Sequence, residues 1–160
     1  MTAWFMKGTP YEELERQMQR IPGFAPEKSR TDQSSFFFFL PGHRERFDSR
    51  WSEHRKTADE DAMCAALYLL SADCFLWEKA ADAVRPEMIL FHEIRIHGTD
   101  LQGYVLYHAA GDLYQGIGRI SLSELTDPEL VDSRTFRLVL SAFLIRRYGA
   151  VVLKENGRDK

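Results

Sequence analysis

The sequence is poor in most features that announce a function. It holds two cysteines, Cys64 and Cys74, so there is no second pair with which to build a thiolate metal site. Both fall in one apolar helical stretch, and the expectation is a pair of buried free thiols in a reducing compartment. On one continuous helix they would stand ~15 Å apart, beyond disulfide reach. No apolar run approaches the ~20 residues that a membrane-spanning helix needs. The opening MTAWFMKGTPYEELERQ turns polar and acidic too soon for a secretory signal. A cytoplasmic protein with no membrane partner is therefore expected.

Positive charge is also scarce. Lys and Arg number 21 against 24 Asp and Glu, for a net charge of -3. A basic footprint over the whole chain is missing, which argues against nucleic acid as a partner. The familiar catalytic spacings are missing too. His92-Glu93 and His97 do not have the HExxH interval, and no turn resembles GxSxG. The GIG at 116–118 lacks the lysine of a phosphate loop and the third glycine of a dinucleotide fingerprint. No metal and no cofactor is expected.

What is present is a globular composition. The 160 residues are 44% hydrophobic and 28% charged, enough for one domain with its own core. Helix signals recur along the chain. Thr9, Pro10 and Glu12 start a short charged helix that stops at Pro22-Gly23, and residues 22–35 read as a polar arm. Thr57 with Glu60 opens ADEDAMCAALYLLSAD, where Ala62, Met63, Ala66, Leu67 and Leu70 keep the 3.6-residue period. Asp73 can cap CFLWEKAADAV, Asp100 can cap LQGYVLYHAAGDLYQ, and Ser121 with Glu124 forms another capping box. Gly103 and Gly111 each weaken their helix by about 1 kcal/mol relative to alanine, which suggests close helix packing there. Asp132 or Ser133 opens RTFRLVLSAFLIRRYG, and Gly149 ends it. The stretch from Leu138 to Ile145 is apolar nearly all round and predicts a central buried helix. In MILFHEIRIH, Ile94 and Ile96 alternate with Arg95 and His97, as in a strand that VVL at 151–153 could pair with. The predicted fold is mainly α, a compact bundle of about six helical pieces with at most a small strand pair. Residues 1–35 form the N-terminal helix and arm, 36–153 a single domain and 154–160 a frayed tail.

Three groups of residues are candidates for function. His43, Arg46, Arg50 and His54 would form a basic edge on one helix, extended by Arg55 and Lys56. It suits a phosphate or an acidic partner, although a solvated helix face is the plainer reading. His43 and His54 would lie ~16 Å apart there and cannot share a metal ion. His108 and Asp112 are four residues apart, the spacing of a histidine oriented by a carboxylate for general-base work. The same spacing is that of an ordinary helix-stabilising pair. Around this pair, Tyr104, Tyr107 and Tyr114 could line a site for a planar ligand such as a nucleotide, although core packing is the plainer reading. The third group is the run FFFFL at 36–40. If extended, it sends alternate rings to opposite faces, so Phe37 and Phe39 share one. One pair would enter the core, and the other would need cover from the N-terminal arm or a second chain.

The segments ALYLLSADCFLW, YVLYHAAGDLYQG, SLSELTDPELVD and TFRLVLSAFLIRRYG together resemble a family of small uncharacterised proteins, mainly from Firmicutes and often encoded near mobile elements. The resemblance spans about residues 40–150. YEELERQMQRIPGFAP resembles a short leader on other small mobile-element proteins. The family is a domain of unknown function, so the resemblance implies a setting and supplies no active-site residues. The expected function is a non-enzymatic protein-interaction or oligomerising domain of a bacterial mobile element. The alternatives are an anti-defence protein that binds a nucleotide or a nuclease, and an enzyme using His108 and Asp112.

Overall fold

Short polar residues set where most helices begin. Asp73, Asp100 and Asp132 each accept a hydrogen bond from the backbone N–H three residues on, at Leu76 (2.8 Å), Gly103 (2.9 Å) and Thr135 (2.8 Å). Ser121 and Glu124 cap each other reciprocally. Each such bond satisfies an N–H that the first helical turn leaves without a partner. Gly116 and Gly149 end two of these helices at φ of 74° and 94°, a region that glycine enters without strain.

The computed structural model describes residues 36–55 and 59–153. The sequence readings for the helix near residues 9–21, the arm, the Thr57 cap and the tail lie outside these. Six α-helices are described: α1 (His43–Trp51), α2 (Glu60–Leu70), α3 (Cys74–Ala80), α4 (Leu101–Gln115), α5 (Leu122–Leu125) and α6 (Ser133–Tyr148). Single 3-10 turns follow at Ala81–Ala83, Phe91–Glu93 and Ala150–Leu153. The fold is mainly α, and among the described residues no helix is long and apolar enough to cross a membrane.

The central helix is α2, not α6. Every residue from Ala62 to Leu70 is buried, and α2 packs between α4 and α6. Alanines at 62, 65 and 66 let neighbours approach one side while Met63, Leu67, Tyr68 and Leu70 fill the others. In α6 the apolar stretch includes Phe143, which faces outward, so one side of that helix meets solvent.

Two further expectations are corrected. Residues 89–97 do not form a strand. Val84 and Ile89 make one isolated antiparallel bridge around the Arg85-Pro86 turn, and residues 151–153 lie in a 3-10 turn. The backbone groups here are used locally instead. Leu90 N–H donates to the Ala83 carbonyl, Arg85 N–H to the Met88 carbonyl, and Ile89 N–H to the Tyr114 hydroxyl of α4. The cysteines also part company. Cys64 is buried in α2, whereas Cys74 is exposed at the start of α3, because the chain turns at Ser71–Asp73 between them.

The phenylalanine run is mostly interior. Phe36, Phe37 and Phe38 are buried and Phe39 is half-buried. The chain bends at Phe36 and Phe37, which breaks the alternation of an ideal strand. The Tyr68 hydroxyl of α2 donates to the Phe37 carbonyl (2.6 Å), and Arg137 of α6 donates to the Phe36 carbonyl (2.9 Å). The Arg137 guanidinium also lies 4.8 Å from the Phe36 ring centre and 4.0 Å from that of Phe39. A buried cation from the last helix thus covers the outer ring. Phe37, at 1% exposure, has no face left for a ligand.

Candidate functional site

The four central residues of the expected basic edge are each turned to a structural contact. His43 is fully buried at the start of α1, against the rings of Phe38 and Tyr68. Its Nε2–H donates to the Tyr68 carbonyl at 2.8 Å. Burial lowers its pKa from 6.5 to about 3; the bond to Tyr68 opposes this, and the charges of Arg46 and Arg44 add to it. Arg46 donates to the carbonyls of Ser71 (2.7 Å) and Ala72 (2.9 Å), a cation placed at the C-terminal end of α2. Arg50 reaches the Ala81 carbonyl and lies over Trp77. His54 falls beyond the end of α1. Its ring stacks on Trp51 with centres 3.6 Å apart, and its nitrogens face the Trp51 carbonyl and the Glu60 carboxylate. These four residues join α1 to α2 and α3. The helical wheel places them at one azimuth but carries no information about what lies opposite.

The second candidate group borders a cavity. A pocket of about 180 Å³ lies against α4. The helix contributes Tyr107, His108, Gly111, Asp112 and Gln115, at the spacing of one face. Phe91 and His92, from the 3-10 turn before α4, form one wall. Ile117 and Arg119, from the loop after α4, form the other.

Asp112 builds that second wall. Its carboxylate accepts from the Arg119 N–H at 2.9 and 2.8 Å and from the Ile120 N–H at 2.9 Å. The loop leaving Gly116 is thereby folded back along its own helix. Among the described residues, no hydrogen bond links Asp112 to His108. The His108 ring instead meets the rings of Tyr104 and Tyr107, with centres 4.3 and 5.0 Å away. Burial lowers the His108 pKa; the charge of Arg119 adds to this and that of Asp112 opposes it. The shift favours the neutral imidazole, which carries one N–H donor and one lone pair.

The three tyrosines separate. Tyr107 lines the pocket, Tyr104 stands exposed beside His108, and Tyr114 turns to the Ile89 N–H. Sequence reasoning missed Phe91, Gly111 and Arg119. The signal for Gly111 was the glycine itself, read as a helix-packing residue. A β-carbon there would meet the Phe91 ring at 3.7 Å, an ordinary contact, and no other helix. Gly103 likewise faces Thr99 and its own cap, Asp100.

Among the described residues no group of three or more His, Cys, Asp or Glu side chains could hold a metal ion. No family model matches the chain, no curated protein matches it, and no solved structure matches it.

Proposed function

We propose that this chain is a non-catalytic binding domain whose ligand enters the pocket against α4. The engagement of Asp112 is the observation that carries this reading. A general base needs a partner that orients it, and the carboxylate spaced to orient His108 is occupied by the backbone N–H groups of Arg119 and Ile120. The same three contacts hold Ile117 and Arg119 in place as a preformed wall, which suits selective binding. The nucleotide-binding alternative, a mobile-element protein that holds a defence signal, belongs to this reading as one choice of ligand.

The test is thermal unfolding of the full chain across nucleotides and small organic acids. A ligand at about 100 times its Kd stabilises by about 2.7 kcal/mol. At least one compound is expected to raise Tm, and Gly111→Leu, which fills the pocket, should abolish that rise. A turnover activity lost equally in His108→Gln and Asp112→Asn would make the chain an enzyme and end the proposal.

A second reading, protein interaction or self-association, is favoured by Leu101 and Tyr104. They are 46% and 47% exposed and continue the same face of α4 beyond His108. Light scattering separates the two readings. A dimer that Tyr104→Ser dissolves would support assembly, and a monomer at all concentrations would count against it.

A further inference from the structure

Resting on that binding reading, we propose that the α4 pocket takes a small aromatic acid: one planar ring carrying one anionic group. Size is the first argument. A cavity of about 150 Å³ accommodates one benzene ring. This pocket, at about 180 Å³, has room for one ring and a small substituent. A whole mononucleotide would leave most of itself outside.

The walls supply the second argument. Phe91 and Tyr107 put two aromatic rings on the lining, their centres 6.0 Å apart, and Ile117 adds an apolar surface. Rings of this kind receive another ring edge-on or offset.

Charge supplies the third. Arg119 lines the pocket, its charge acts on His108, and no ion pair engages it among the described residues. The nearby carboxylate, Asp112, accepts from the backbone of Arg119 and Ile120 rather than from that guanidinium. Among the described residues the pocket therefore offers a planar cation that no carboxylate engages, able to take a carboxylate side-on, with the His108 imidazole beside it.

Gly111 is the fourth. It sits inside a 15-residue helix, where glycine is unfavourable, and nothing packs against it closely enough to exclude a methyl group. What a side chain there would remove is pocket space.

The experiment is an amide NMR titration of the full chain with benzoate, benzamide, acetate and adenosine monophosphate. Benzoate is expected to shift the amides of Gly111, Asp112 and Arg119 saturably. Benzamide should bind about tenfold more weakly, the equivalent of one charge-assisted contact. Arg119→Gln should erase that difference, and Gly111→Ala should abolish binding while leaving Tm unchanged or higher. If benzamide or acetate binds as well as benzoate, the aromatic-acid class is wrong and the pocket remains a binding site. The same follows if adenosine monophosphate binds more tightly than benzoate. If none of the four probes moves these amides, the class is again wrong. If, in addition, no compound in the thermal screen depends on Gly111, the binding reading fails with it.

Discussion

His43 shows how much one position can differ from its reading on a helical wheel. It was expected on a basic edge and is instead a neutral core residue with a pKa of about 3. The sign of its effect on stability follows. The folded state holds this proton less tightly than the unfolded chain does. Stability is therefore unaffected above the unfolded pKa of 6.5 and is lost as pH falls from there toward about 3. The full loss from this one group is on the order of 5 kcal/mol. Urea unfolding between pH 7.5 and 4 should show a steep decline in the parent chain and a shallower one in His43→Gln. Equal slopes would show that His43 is not the group responsible. Arg44 and Arg46 flank the ring and oppose its protonation, so the neighbouring charges do not rescue it.

The elements themselves are closest to their sequence signals. Asp73, Asp100, Asp132 and the Ser121/Glu124 box all cap where the sequence places them, because a cap involves only a side chain and an N–H a few residues away. Asp100→Ala is expected to destabilise by about 1 kcal/mol in urea unfolding, with α4 the first to lose amide protection. Gly111→Ala in the same helix should instead stabilise by roughly 0.5–1 kcal/mol. A loss of more than that with alanine would show that position 111 is closely packed, as the sequence suggested. Two helices lack such a cap: α1, whose N-cap is Gly42, and α2, whose N-cap residue Asp59 makes no side-chain bond. Burial from Ala62 to Leu70 can hold α2 without one.

At the scale of the molecule, the choice of central helix is what the sequence left undecided. α2 and α6 are both rich in apolar residues, yet α2 is enclosed and α6 turns Phe143 to solvent. Leu69→Ala in α2 should cost about 2–5 kcal/mol, the range for emptying a buried leucine site. Phe143→Ala should cost less than about 1 kcal/mol, despite removing the larger side chain. The reverse order would restore α6 as the centre. Long-range contacts also explain the phenylalanine run. The Tyr68 hydroxyl and the Arg137 guanidinium, 31 and 101 residues along the chain from their acceptors, fix the backbone and cover the outer ring.

The sequence by itself determined the helical class, most helix starts, the stop at Gly149, and the spacing of His108 and Asp112. Each depends on interactions within a turn or two of chain, where distance along the sequence stands for distance in space. Only the tertiary structure decided that Arg46 reaches α2, that Arg137 covers Phe39, and that Asp112 holds the loop carrying Arg119 rather than His108. Asp112 had two possible partners, a ring four residues back and a loop seven residues ahead. Folding the loop back presents several backbone N–H groups to the carboxylate at once, and no local periodicity encodes that.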